Sequence, residues 1–133
     1  MSGAYPCPLD EGVMVVEIPF TDAVISDLRK RNPSLDEDTH AFAVWGEATK
    51  DIGILIVLNE NIREEDWFSD VHLSAIFAHE LGHIHLNTAV ESEAERWGVT
   101  LLGKKGMSEA AHLLLNRGVL DEETCKLLKE TVL

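Results

Sequence analysis

The sequence predicts an α+β fold in one domain that spans residues 1–133. Two patterns lead to this prediction. Short apolar runs bounded by glycine, proline or polar turns fill the first half of the chain, as is typical of strands. From about residue 70 onward, apolar residues recur at helical spacing between capping residues and glycines. Strands followed by helices indicate a small, mainly antiparallel sheet packed on a helix, with a C-terminal helical part.

Three strands and one helix are predicted in the first half of the chain. A β-branched run predicts a strand over Val13–Ile18. Thr21 is positioned to cap a helix that runs to about Arg31. Two further strands, joined by the polar turn GEATKD, are predicted over Ala41–Trp45 and Ile52–Leu58. The last strand contains ILIVL, and apolar residues at consecutive positions indicate a strand that is covered on both faces.

Four helices are predicted in the second half of the chain. Ser69 or Asp70 is expected to cap the first of them. Because only a short turn separates the first two helices, we expect them to lie antiparallel and in contact. The predicted helices run from Val71 to about Leu86, from about Val90 to Leu102, from a cap at Ser108 to about Asn116, and from a cap at Asp121 to the C-terminus.

Composition and charge exclude several classes of function. The net charge is −13, from 11 Lys and Arg against 24 Asp and Glu. Phosphate neutralisation needs clustered cations, so direct nucleic-acid binding is not expected. No run of about 18 apolar residues exists to span a membrane. The segment MSGAYPCPLDEG lacks the basic and apolar regions of a signal peptide, so a cytoplasmic location is expected.

The segment FAHELGHIHL contains an H-E-x-x-H motif formed by His79, Glu80 and His83. Histidines four residues apart lie about 40° apart around a helix, so both imidazoles can reach one ion. Glu80 points about 100° away from His79. From there its carboxylate can reach a water at the open coordination position and act as a general base.

A third metal ligand is expected from the next helix, where Glu91, Glu93 and Glu95 are available. Glu93 lies at the edge of an apolar stripe, and a buried carboxylate there needs a partner such as a metal ion. Glu93 is therefore the predicted ligand, with Glu91 and Glu95 as the alternatives. The stripe is formed by Val90, Ala94, Trp97 and Leu101.

Two histidines, one carboxylate and an open position suit Zn²⁺. In the hydrolysis that this arrangement favours, Glu80 takes a proton from an activated water and passes it to the leaving amine. His85 projects to the other side of the helix and is not expected to be a ligand, and His72 is expected at the surface. His112 is a candidate for stabilising the oxyanion, and Tyr5 is the only tyrosine that could do so.

Three features occur together between Ala41 and Leu102. HELGH lies in an apolar helix, a GILIVLN strand precedes it, and an E-A-x-x-(aromatic)-(small)-x-x-L-L pattern begins at Glu93. Together these features resemble the ImmA/IrrE family of metallopeptidases. HELGH alone is shared with many zinc peptidases, so the joint pattern carries the resemblance.

The resemblance implies a minimal gluzincin-like fold in which His79, His83 and Glu93 bind zinc and Glu80 is the base. It also implies that a strand near Gly53–Leu58 borders the cleft and aligns an extended peptide by strand addition. Members of this family often belong to prophages, mobile elements or stress responses. They typically cleave a helix-turn-helix repressor, which would make such a repressor the protein partner.

Two other functions compete with that of a zinc endopeptidase. A non-catalytic, metal-stabilised module that binds a partner protein is favoured by the small size and the acidic composition. A phage or mobile-element regulatory component with a vestigial HELGH is the third possibility. Such a component would fold well without metal, so a chelator would leave its thermal stability unchanged.

Overall fold

The structure is a computed structural model that describes residues 3–30, 32–36, 38–45 and 54–133. These residues form a four-stranded sheet and five α-helices, which confirms the α+β class. The strands are β1 (Gly3–Cys7), β2 (Asp10–Ile18), β3 (Ala41–Val44) and β4 (Leu55–Asn59). The helices are α1 (Asp22–Leu28), α2 (Asp70–Leu86), α3 (Glu91–Lys104), α4 (Ser108–Leu115) and α5 (Glu122–Thr131), with a 3-10 helix over Glu60–Glu64.

The sheet has the strand order β1-β2-β4-β3. β1 pairs antiparallel with β2, and β3 pairs antiparallel with β4. The central strands β2 and β4 are parallel, because the chain crosses over through α1 and β3 before β4 begins. The predicted sheet is therefore confirmed as mainly antiparallel, with one parallel pairing that the sequence did not indicate.

Strand β1 was not predicted, because Pro6 interrupts its apolar pattern. Among the described strands it pairs only with β2, and an edge strand tolerates the missing N–H of proline. The strand predicted over Ile52–Leu58 corresponds to β4 in its described part. Ile52, Gly53 and the GEATKD turn lie outside the described residues.

Helices cover both faces of the sheet, as the ILIVL pattern predicted. On one face, Val57 of β4 packs in a cluster with Phe20 and Ile25 beside α1. On the other face, Ile56 packs against Phe77 of α2. Helices α3, α4 and α5 add a second core beyond α2, formed by Ala75, Ala78, Val99, Leu102, Ala110, Ala111, Leu114, Leu115 and Leu128. Helix α2 therefore lies between the sheet and the C-terminal helices.

Three of the predicted helix caps are present. The side chains of Thr21, Ser69 and Asp121 each accept a hydrogen bond from a backbone N–H in the first turn of α1, α2 and α5. Ser108 is the first residue of α4 rather than its cap, and Met107 precedes it without a side-chain hydrogen bond. No described helix is both long enough and apolar enough to cross a membrane.

A buried carboxylate, Glu17, is held on β2 by two partners. Arg63 donates from Nε to Oε2 at 2.5 Å and from Nη2 to Oε1 at 2.9 Å. The hydroxyl of Tyr5 donates to Oε1 at 2.8 Å. The hydrogen bonds from Arg63 are the main reason why the pKa of Glu17 lies below its ordinary value. Burial, together with the bond to Glu17, raises the pKa of Tyr5 to about 12.

Protonation of Glu17 is expected to destabilise the fold in acid. Its folded pKa lies below the ordinary value of 4.5, so the ionised carboxylate adds stability that is complete above pH 4.5 and is lost as the pH falls through the folded pKa. Glu17→Gln should lower the free energy of unfolding by about 1–3 kcal/mol near neutral pH. Urea unfolding should show a smaller difference from wild type in acid, and the exposed Glu11→Gln is the control. An equal difference at both pH values would contradict this assignment.

Candidate metal centre

Helix α2 places the three residues of the H-E-x-x-H motif in the interior. His79, Glu80 and His83 are 6%, 6% and 5% exposed. The sheet covers one side of this helix and α3 covers the other, so residues 77–83 of the helix are buried. The helix ends at Asn87, which adopts a left-handed conformation with φ of 50°.

Helices α2 and α3 approach each other closely at two pairs of small residues. A Cβ atom added to Gly82 would lie 2.3 Å from the carbonyl oxygen of Ala94. A Cβ atom added to Gly98 would lie 3.0 Å from the carbonyl oxygen of Ala78. Only small side chains allow backbones to come this close. The contact brings the first turn of α3 beside the two histidines.

Two imidazole nitrogens and one carboxylate converge at this helix pair. The Nε2 atoms of His79 and His83 are 3.1 Å apart, as their spacing along the helix predicted. Oε2 of Glu91 lies 2.7 Å from Nε2 of His79, and Oε1 of the same residue lies 3.2 Å from Nε2 of His83. The three side chains therefore surround one point between α2 and the start of α3.

The other ring nitrogen of each histidine faces a hydrogen-bond acceptor. Nδ1 of His79 donates to Oε1 of Glu95 at 2.7 Å, and Nδ1 of His83 donates to the backbone carbonyl of Thr88 at 2.8 Å. Since an ionised carboxylate and a carbonyl oxygen can only accept, they place a proton on Nδ1. The lone pair of each Nε2 is then free to bind a metal ion.

The residues fit a metal ion. One potential ligand atom from each of His79, Glu80 and His83 lies within 4.8 Å of the others, so this buried group could hold an ion. Ligand atoms on a tetrahedron with zinc bonds of about 2.0–2.1 Å are separated by about 3.3 Å. The separations of 2.7–3.2 Å among the two Nε2 atoms and the carboxylate of Glu91 are close to that value.

Glu93, the ligand predicted from the sequence, does not face the histidines. It is exposed and accepts a hydrogen bond from the hydroxyl of Thr88 at 2.7 Å. It borders a separate groove beside Leu86 and Trp97. Glu91, one of the two alternatives, occupies the expected place. Glu95, the other alternative, is fully buried and contacts Nδ1 rather than Nε2 of His79, so it lies outside the group around the two Nε2 atoms.

The error arose from the choice of the buried stripe on α3. Val90, taken as part of the stripe, is 50% exposed. The buried residues are Ala94, Glu95, Gly98, Val99 and Leu102. Relative to the predicted stripe, this face is rotated by about 100°, one residue of helix, which turns Glu91 and Glu95 toward α2 and Glu93 away. Gly98 was the available signal, because a helical glycine marks a close approach of backbones.

Glu80 lies beside the converging ligands and lines the same cleft. Burial raises its pKa to about 7, and the nearby His79 opposes part of that rise. A carboxylate with a pKa near neutrality can both accept and release a proton. Glu80 therefore lines the cleft as a buried carboxyl group, and the general-base role expected for it from the sequence stays a prediction.

The cleft at this centre has a volume of about 540 Å³ and is bordered by β3. Trp45, just after β3, stacks on His83 with ring centroids 5.6 Å apart and planes 14° apart. The expectation that a strand near Gly53–Leu58 presents its edge to the cleft needs correction. β4 pairs with β2 on one side and β3 on the other, so β3 is the edge strand there among the strands that the structure describes.

The other two histidines of α2, His72 and His85, are not brought to this centre. His85 bonds to Asp10 at 2.6 Å and stacks on Trp97, on the opposite side of α2, as predicted. His72 contacts the hydroxyl of Ser69 at 2.8 Å, two turns before the motif. Neither of them lines the cleft.

No protein-family model, curated protein or solved structure matches the chain. The likeness to the ImmA/IrrE metallopeptidases therefore rests on the motif residues alone.

Proposed function

We propose that the protein is a zinc-dependent endopeptidase. One observation carries the proposal: the Nε2 atoms of His79 and His83 and the carboxylate of Glu91 surround one point, with Glu80 buried beside them in an open cleft. Two histidines and a carboxylate with a free fourth position are a ligand set of catalytic zinc sites. A structural zinc site would instead use all four positions for protein ligands.

Zinc is the metal that we propose, since imidazole and carboxylate ligands in a tetrahedral arrangement suit it. When bound, zinc would lower the pKa of a water molecule and polarise a carbonyl group. His79, His83 and Glu91 would hold it. Glu95 and the carbonyl of Thr88 would fix the orientation of the two imidazole rings through Nδ1.

Glu80 is the residue that we assign to both proton transfers of the hydrolysis, from the attacking water and to the leaving amine. Its carboxylate accepts a proton as the water attacks the carbonyl carbon, and later gives that proton to the leaving amine. Burial of this carboxylate supports the assignment, because a raised pKa brings it close to the pH at which both transfers must occur. The products are a carboxylic acid and an amine, so the reaction needs no other reactant than water.

The shape of the cleft favours an extended peptide as substrate. β3 has one edge free of any described strand, and Ala41, Phe42 and Ala43 line the cleft along it. Unpaired N–H and C=O groups of an edge strand can align a peptide by strand addition. Cleavage of a specific intracellular protein such as a helix-turn-helix repressor is our proposal from the ImmA/IrrE resemblance.

Mapping of new protein N-termini tests the proposed function. The zinc-loaded protein is incubated with a protein extract of the source cells, and the sample without zinc, treated with a chelator, is the control. We expect new N-termini at one or a few defined sites in the zinc-loaded sample only. Zinc binding with no new N-termini would contradict the peptidase function and favour a non-catalytic, metal-stabilised binding module.

A further inference from the structure

Arg117 extends into the metal cleft from the turn between α4 and α5. Its backbone N–H bonds to the carbonyl of Leu114 at 3.2 Å, and Gly118 follows with a φ of 79°, which turns the chain sharply. The position of Arg117 is therefore fixed by the end of α4. Among the described residues that line the cleft, it is the only lysine or arginine.

A buried carboxylate oxygen anchors one side of Arg117. Glu95 is fully buried, and its Oε2 atom has no hydrogen-bond partner among the described residues. Nε of Arg117 lies 3.7 Å from this oxygen, which makes an ion pair without a hydrogen bond. The side chain of Arg117 is nevertheless 48% exposed. One side of the guanidinium therefore contacts the buried carboxylate of Glu95, and the rest of it is accessible from the cleft.

The other residues that could stabilise negative charge on an oxygen atom in the cleft either lie outside the cleft or favour an uncharged form. His112 bonds to the carbonyl of Ser108 at 2.7 Å and does not line the cleft. Tyr5 is committed to Glu17. His40 does line the cleft, but burial lowers its pKa and the charge of Arg117 lowers it further, so its neutral form is favoured.

We propose that Arg117 is a catalytic residue that binds the oxygen of the scissile carbonyl as this oxygen gains negative charge. The inference rests on the proposed peptidase function. As the water oxygen bonds to the carbonyl carbon, Glu80 takes a proton and the π electron pair moves to the carbonyl oxygen, which accepts hydrogen bonds from the guanidinium. The pair then returns, the C–N bond breaks, and Glu80 gives its proton to the nitrogen. A preorganised cation at this oxygen lowers the barrier of such a step.

Inhibitor binding to the zinc-loaded protein tests this role without a known substrate. The first probe is a phosphonamidate dipeptide amide, whose only negative group is a tetrahedral anion. The second is the same dipeptide with a free carboxylate, and the third is acetohydroxamate, which binds the metal alone. Arg117→Ala should bind both phosphonamidates about 100-fold more weakly than wild type. Its affinity for acetohydroxamate and its zinc content should stay at the wild-type values.

Two further variants complete the test. Arg117→Lys keeps the charge and should recover part of the phosphonamidate affinity, and it replaces the alanine variant if that variant does not fold. Arg96→Ala removes an exposed arginine that borders the separate groove on α3 and should bind all three probes as wild type does.

Three results would overturn the inference while leaving the proposed function standing. The first is that Arg117→Ala binds both phosphonamidates as tightly as wild type does. The second is that its affinity for all three probes falls by the same factor. The third is that its affinity falls only for the phosphonamidate with a free carboxylate. An equal loss would mean that Arg117 acts on the metal through Glu95. Failure of the wild-type protein to bind zinc and acetohydroxamate would instead overturn the proposed function itself, and this inference with it.

Discussion

Glu80→Gln is expected to lower the rate of peptide hydrolysis by about 10²- to 10⁴-fold while the protein keeps its zinc. Glutamine has nearly the same shape as glutamate but cannot accept the proton of the attacking water. Glu80 does not take part in the contacts among His79, His83 and Glu91, so the metal ligands should stay in place. A synthetic peptide that spans a cleavage site found by N-terminal mapping serves as the substrate.

Glu60→Gln is the matched control, because Glu60 lies in the 3-10 helix and not in the cleft. Its rate and zinc content should equal those of wild type. A Glu80→Gln protein that cleaves at the wild-type rate would exclude Glu80 as the base. A Glu80→Gln protein that loses its zinc would show that this carboxylate supports the metal site, contrary to the assignment.

Glu91→Gln should weaken zinc binding by at least about 100-fold, since even outer partners of zinc ligands typically contribute 10- to 100-fold. Glu93→Gln should leave zinc affinity unchanged, because its carboxylate is exposed and bonds to Thr88. Competition with a chromophoric zinc chelator measures the two affinities under the same conditions. The two substitutions lie two residues apart on α3 and make the same chemical change, so each is a control for the other. A larger loss for Glu93→Gln would reverse our assignment of the third ligand.

The elements that the sequence predicted well are those whose signals are local. Thr21, Ser69 and Asp121 each lie at the start of a helix, and the cap depends only on the next few residues. The parallel pairing of β2 with β4 joins strands that are distant along the chain, and no short pattern specifies it. β1 was missed for a related reason, since Pro6 is compatible with a strand only at a sheet edge.

At the metal centre too, the sequence predicted contacts within one helix correctly but not those that depend on how two helices pack. His79 and His83 are brought together by the pitch of one helix, so their spacing was sufficient. The choice between Glu91 and Glu93 depends on how α3 is rotated against α2, and the close packing at Gly82 decides that rotation. Arg117 comes from a turn far along the chain, and its neighbours in sequence give no sign of its position in the cleft.

Anomalous diffraction at the zinc absorption edge, from crystals of the zinc-loaded protein, tests the metal centre most directly. We predict one strong peak between α2 and the start of α3. Nε2 of His79, Nε2 of His83 and a carboxylate oxygen of Glu91 should lie about 2.0–2.2 Å from it. A peak coordinated by Glu93 instead of Glu91, or no peak between these helices, would contradict the structure of the site that we describe.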